Sequence, residues 1–400
     1  MVESLVIPDE RFGKAVLLRD PEGITEAVAS IPAPLVPVVA SFDGDRMLAE
    51  IAQEASVTSG VEMPIHVVIR IAEELDEALF LDSPRYRRAR RRVEDEFARA
   101  EVRPAAHAGG AYPEEPGRLR RYIDGECIAG AGAPKHNGSG IVGLIAPHID
   151  PWRGRKGYGK AYGLLRASLA EQVDTFVLLG TSHAPMKEPF ALCRKPFDTP
   201  LGALQADFGA IDAIASQSPF DPYADMFNHK REHSLEFQAL FVRHVVGPRP
   251  VRIVPILCGL SDSQRTGQSP EQDERVEQFV RALRAVCDHR RDRTIVIAGA
   301  DLAHVGPRFG DGAPYADDER IALEATDRAS LDLAAACAHR DFFAHVQQDL
   351  DRRRVCGLGP IYTLLRVLPE GSRGDVVHYE QTIDRREGSI VSHAAVGFWA

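Results

Sequence analysis

Apolar residues along this chain fall into two regimes. Between residues 35 and 100 they recur at helical spacing. "RMLAEIAQEA" gathers Met47, Leu48 and Ile51 on one side, and "PIHVVIRIAEELDEA" does the same with Val67, Val68, Ile71 and Leu75. Ahead of the first helix, "LVPVVASFDGDRML" reads as a short strand followed by a DG turn. After the second, "LFLDS" reads as a wing strand, and Ser83-Pro84 caps a charged helix, "SPRYRRARRRVEDEFARAE". Strand, helices and wing together predict a small winged-helix-like module.

From residue 141 the pattern changes. Near-continuous apolar runs at 141–146, 175–180, 251–258 and 294–299 alternate with helix-length segments at 157–170, 205–217, 232–246 and 270–288. Two more helices follow at 317–338 and 358–368. Continuous runs, as opposed to alternating ones, mean strands buried on both faces. The prediction is an α/β fold whose mostly parallel central sheet is flanked by helices. The Ala/Gly/Pro-rich stretch "VRPAAHAGGAY" (102–112) reads as a seam, giving a module at 1–101 and an α/β domain at 102–400. "APKHNGSG" (133–140) reads as a polar loop before the first strong strand.

Composition acts mainly by exclusion. A net charge of -10 argues against general affinity for nucleic acid or anionic membrane. The run "RYRRARRR" is therefore read as a solvated helix face balanced by "EDEFARAE". No apolar run reaches the roughly 20 residues that a bilayer span needs. "MVESLVIPDERFGK" lacks a basic segment followed by an apolar one. Cysteines at 127, 193, 258, 287, 337 and 356 form no CxxC pair, the usage of reduced thiols. A cytoplasmic protein with neither nucleic-acid nor membrane partner is expected.

Candidate chemistry sits where the strands stop. "IVGLIAPHID" runs into His148, "DTFVLLGTSHAP" into His183, and "TIVIAGADLAHVG" into Asp301 and His304. In open α/β sheets, sites form beyond the C-terminal strand ends, so these residues are predicted to share one crevice. The helix "REHSLEFQALFVRHV" offers His233 with Glu236 on the same face, unless "EHS" merely caps the helix. Cys356, in "RRRVCGLGPIYTLL", has two readings. It is either a thiolate favoured by the following helix and by Arg352, Arg353 and Arg354, or a buried structural thiol. Neither Ser182 nor Ser234 lies in a G-x-S-x-G elbow. "GRKGYGKAYG" has neither phosphate-loop nor dinucleotide spacing.

The ordered set "APH", "GTSH", "EHSLEF", "DLAH" and "CGLGPIYTLL", preceded by "RPAAHAGGAYPEEPGRLRRYID", resembles the MEMO family over roughly 103–400. That family is the MEMO component of systems that also contain AMMECR1 and radical SAM proteins. The resemblance implies a fold like the class III extradiol dioxygenases and a pocket holding iron or copper. Carried over by motif, it implies His148, His183 and Cys356 as metal ligands and His233 as a pocket histidine with an acid/base role. Asp301 and His304 match the family's Ser-Asp-x-x-His segment. The chain departs from the family at "APHIDPWRGRKGYGKAY", where Ile149, Asp150 and Trp152 are unusual and Asp150 is an extra ligand or a partner of His148. The N-terminal module is a further departure, with "FDGDRMLAEIA" locally similar to PqqD-like peptide-carrying domains.

Two imidazoles with a thiolate or carboxylate suit Fe(II), with copper or zinc also compatible. The leading expectation is a non-haem iron or copper oxidoreductase acting on a small molecule or peptide, with radical SAM and AMMECR1-like partners. His233 would move protons, and His304, oriented by Asp301, would be a second carrier. Zinc-dependent hydrolysis, with Glu236 or His233 as base, is the second reading. A non-catalytic partner- or peptide-binding scaffold is the third.

Overall fold

The computed structural model describes residues 3–132, 140–348 and 350–400; most of the predicted polar loop at 133–140 lies outside them. The chain divides into two compact units, Met1–Ala100 and Glu101–Ala400.

The first unit opens with an antiparallel sheet of β1 (Glu3–Asp9), β2 (Gly13–Arg19) and β3 (Ala29–Pro32). Asp9 Oδ1 accepts from the backbone N–H groups of Arg11 and Phe12, and Gly13 takes the left-handed φ of +74° that closes the turn. Helices Leu48–Ser59, Ile65–Glu77 and Pro84–Arg99 follow, and Val38, Ile51, Ala52 and Val68 form a small core. Two expected elements are absent. The strand expected at "LVPVV" is the short helix Val36–Ala40, because Pro37 in its first turn has no N–H to lose to a sheet. The wing at "LFLDS" is a connection: Leu79, at φ 65°, ends one helix and Ser83 caps the next through its hydroxyl and Tyr86 N–H. Along Pro84–Arg99, the basic run pairs with its acids at helical spacing, as in Arg90–Glu94 and Arg92–Glu96.

The second unit is α/β, built on a large mixed sheet. Its strands are β4 (Ile141–Ala146), β5 (Thr175–Thr181), β6 (Phe190–Leu192), β7 (Gln205–Ala206), β8 (Arg252–Cys258), β9 (Thr294–Gly299), β10 (Asp301–Val305), β11 (Arg373–Ile383) and β12 (Ile390–Trp399). The main path runs β10-β12-β4-β9-β5-β8-β6, with β11 on β12 and β7 on β8. The four strands predicted from continuous apolar runs are adjacent and parallel in the centre, in the order β4-β9-β5-β8.

The parallel centre is as expected, and the edges make the sheet mixed. β12 pairs antiparallel with β4, β10 and β11, and β6 pairs antiparallel with β8. Antiparallel neighbours need only a tight turn, and residues 384–389 supply one, with Gly388 at φ +72°. The run "IVSHAAVGFW" is buried throughout but carries Ser, His and Gly, which blunt its strand signal.

Alternate residues of the central strands point to opposite cores. Val177, Leu179, Val254 and Ile256 meet helices Glu274–His289 and Leu358–Val367 on one face. Phe176, Leu178, Ile253 and Leu257 meet helices Pro151–Ser168 and His233–Val246 on the other. This three-layer arrangement leaves the C-terminal ends of the parallel strands as the place where loops converge.

Candidate metal centre

Three segments far apart in sequence deliver the cluster. His148 follows β4, His183 follows β5, and Cys356 stands just before helix Leu358–Val367. One ligand-type atom from each lies within 4.8 Å of the others. Cys356 Sγ is 3.2 Å from His148 Nε2. His148 is buried, whereas the His183 side chain is 41% exposed, so the cluster has a floor and an open side.

The tautomer of both imidazoles follows from their partners. His148 Nδ1 faces the Gly299 carbonyl at 2.9 Å, and His183 Nδ1 faces the Glu232 carboxylate at 3.0 Å. Both partners only accept, so Nδ1 carries the proton and each neutral ring keeps its Nε2 lone pair for the cluster. Burial, together with nearby His183, pushes His148 down to about 3, so it stays neutral. Burial also opposes charge on His183, but the Glu232 carboxylate outweighs it and raises that imidazole above its ordinary value.

Glu232, which the sequence offers only as the acid before His233, has three tasks in the structure. It accepts from Ser234 N–H as the helix cap, and from His183 through both backbone N–H and Nδ1–H. Burial works against its charge, but these partners and His233 hold it well below the usual carboxylate range. The "EHS" segment thus does cap the helix, and the capping acid also orients His183. His233 stacks on His183 with ring centroids 4.5 Å apart and meets His148 edge-on at 5.3 Å. Burial and neighbouring His183 push His233 well below its ordinary value, leaving a neutral base at the cluster's side.

The other expected residues separate. Asp301 holds the frame: its Oδ1 accepts from His148 N–H at 2.9 Å, and its carbonyl accepts from Gly357 N–H at 3.0 Å, tying the loops of His148 and Cys356 to one residue. His304 is not oriented by that carboxylate. Its Nδ1 turns to the Leu302 carbonyl at 3.2 Å, and burial pushes it down to about 4.

Glu236 faces away from the cluster. Its carboxylate pairs with the fully buried Arg103 and accepts from Ala106 N–H, His107 N–H and Tyr112 O–H. With four donors on two oxygens, it anchors the chain and is not placed as a base. The helix twist puts it one turn beyond His233, toward the strap formed by residues 103–112. That stretch, read as a seam, is built into the second unit, with Arg103 and Tyr112 fully buried. Arg103 also donates to the carbonyls of His229 and Glu232, and His107 lies edge-on to His233 at 5.8 Å. Only the quoted "RPAAHAGGAY" signalled this role.

Two further expectations change. Asp150 caps helix Pro151–Ser168 through Arg153 N–H and pairs with the Arg153 side chain, because Pro151 starts a helix there and turns the carboxylate onto it. The Cys356 thiol is not eased toward thiolate: burial, then Asp301, pushes it well above its ordinary value. Arg353 and Arg354 are engaged by Asp327 and Asp311. A cleft of about 400 Å³ opens beside the cluster, lined by His183, Cys356, Ser182, Met186, Leu260 and Arg354.

Comparison with known proteins reaches beyond the second unit: the family model stays within it, while one relative aligns with nearly the whole chain, including the N-terminal module that the sequence motifs set apart from the family. A family model described as "Memo-like protein" matches residues 103–397. A MEMO1 family protein of Aquifex aeolicus is 25% identical over 390 residues, covering 97% of each chain. One from Thermus thermophilus is 30% identical over 267 residues, covering 66% of this chain and 74% of its own. One from Methanosarcina mazei is 26% identical over 302 residues, covering 74% of this chain and 98% of its own. No described helix is long and apolar enough to cross a membrane.

Proposed function

The chain belongs to the Memo-like family, and on that premise we propose that it is a metalloprotein acting as a non-haem oxidoreductase, with His148, His183 and Cys356 holding iron or, alternatively, copper. One observation carries the reading: two imidazoles with Nε2 lone pairs kept free and one thiol converge within 4.8 Å from three separate segments. Two nitrogens and one sulfur are a donor set for iron, copper or zinc. A bound redox-active ion would supply electron transfer and a coordination site for a small molecule.

The chain's own groups do the rest. Asp301 fixes the His148 backbone, and Glu232 fixes the His183 ring. Cys356 gives up its proton when it serves as ligand. His233, neutral and beside both histidines, is assigned the role of accepting a proton from a substrate held at the cluster. The reading includes a likeness to class III extradiol dioxygenases, and the radical SAM and AMMECR1-like partners that the motif resemblance implies.

The test is metal content, by mass spectrometry, of full-length protein purified without chelator or added metal, beside Cys356→Ser. Equimolar iron or copper, lost in the variant, is expected. Equimolar zinc would replace the redox reading with metal-assisted hydrolysis. No retention of any of these metals, even after anaerobic reconstitution with Fe(II), would leave a binding scaffold.

A further inference from the structure

Cys356 reaches the cluster on an awkward stretch of chain. Leu350, Asp351 and Arg354 take left-handed φ values of 56°, 54° and 52°, a region that residues with a Cβ adopt only when the surroundings enforce it. Several anchors hold the stretch: Arg354 pairs with Asp311, Asp351 accepts from Val355 N–H, and Arg353 is bound in the interior. Its Nη1 donates to Asp327 Oδ1 at 2.6 Å, with the two side chains 7% and 0% exposed. Its Nη2 donates to Ser330 Oγ at 3.1 Å, and its carbonyl accepts from His304 N–H at 2.7 Å. The other carboxylate oxygen of Asp327 accepts from Ser392 Oγ at 2.5 Å and Tyr379 O–H at 3.0 Å.

One buried carboxylate therefore clamps helix Asp317–Ala335, strands β11 and β12, and the loop three residues before Cys356. A surface ion pair would have left that loop free to relax. A buried charge that loses its partner has no water to turn to, so the geometry is held tightly.

We propose that Asp327 is a positioning residue, which through Arg353 sets the Cys356 thiol against His148 and so tunes the ligand it offers. The proposal rests on the ligand assignment above. Partners bonded directly to a metal ligand are typically worth roughly 10- to 100-fold in affinity, and Asp327, which acts one remove further out through Arg353, is expected at the low end of that range.

The test uses the full chain titrated with Co(II), whose thiolate charge-transfer absorption reports the Cys356 bond separately from the histidines. Wild type is expected to show that absorption and Cys356→Ser to lack it. Asp327→Asn, which keeps the shape and loses the charge, is expected to weaken binding about 10-fold and lose most of the absorption while circular dichroism stays unchanged. Should Asp327→Asn not fold, Tyr379→Phe removes one bond to the same carboxylate and is expected to shift both readouts the same way by less. Unchanged affinity and absorption in whichever of the two variants folds would overturn the proposal, even if its thermal midpoint falls.

A second readout separates this proposal from the ligand assignment. In chelator-treated protein, the alkylation rate of Cys356 is followed by peptide mass spectrometry. Absence of the Co(II) absorption in wild type would remove the ligand assignment alone. Faster alkylation in Asp327→Asn would still uphold the positioning of the thiol, and an unchanged rate would reject it.

Discussion

Cys356 Sγ and His148 Nε2 sit 3.2 Å apart although 208 positions of sequence separate them. The imidazole's own proton is held at Nδ1 by the Gly299 carbonyl, which leaves Nε2 as an acceptor facing the thiol. Both groups are thus neutral and paired, and both supply atoms that the proposed metal assignment uses. The predictions below follow from that arrangement and from the frame around it.

Removing either histidine should remove the metal. His148→Ala and His183→Ala are expected to lower occupancy to background, with circular dichroism unchanged. Full occupancy in either variant, measured by mass spectrometry of the purified protein, would sink the ligand assignment.

Glu232 should act through His183. Glu232→Gln is expected to weaken metal binding by roughly 10- to 100-fold, the range for carboxylate partners of ligating histidines. The pH dependence carries a sign that can be checked. Glu232 raises the His183 imidazole above its ordinary value, so in the wild type protons compete with metal over a wider acid range. Without that carboxylate the imidazole falls, and the acid limb attributable to His183 should move to lower pH even as affinity at neutral pH drops. Calorimetric titrations at several pH values measure both.

Glu236 and Arg103 should couple in stability. Arg103→Met leaves a buried carboxylate without its cation and is expected to cost about 3–5 kcal/mol. Adding Glu236→Gln should restore part of that loss, since the neutral amide removes the stranded charge while its oxygen still accepts from the donors of the 103–112 strap. Urea unfolding followed by tryptophan fluorescence suits this, because Trp152 and Trp399 both lie in the second unit. A double variant no more stable than Arg103→Met would show that the two are not coupled.

Acid should destabilise the second unit through His229. This ring is fully buried, its Nε2 faces the Ala191 carbonyl at 3.1 Å, and burial pushes it down to about 3. The unfolded chain takes up the proton near pH ~6.5 while the folded chain refuses it, so stability is complete above that value and falls as pH drops toward the folded value. Between pH ~7.5 and ~5 the loss from this group is about 2 kcal/mol. His229→Gln, compared by urea unfolding at both pH values, should shrink the pH dependence by that amount. An unchanged dependence would assign it to other groups.

Much of the site was legible because strand grammar fixes where a side chain ends up. A continuous apolar run followed by histidine states both that the strand is central and that the residue after it lies at the crevice, and His148 and His183 obey this. Glu232 was harder to see, since an acid before a helix reads equally as a cap. Glu236 misled because helical spacing puts it near His233 in sequence, yet the fully buried Arg103, 133 positions away, draws it to the other side. Asp150 misled for a local reason, the helix start at Pro151.

Sequence alone determined the α/β class, the four central strands and the histidines at their ends, because apolar periodicity and strand-end position are properties of local chain. It also carried the family, in five short motifs in order. Tertiary structure decided what local chain cannot: that β12 returns antiparallel beside β4, that Asp301 ties the loops of His148 and Cys356 together, and that Arg353 reaches back to Asp327. Hydrogen bonds and ion pairs between residues tens to hundreds of positions apart depend on where the sheet brings their carriers, and no local pattern encodes that meeting.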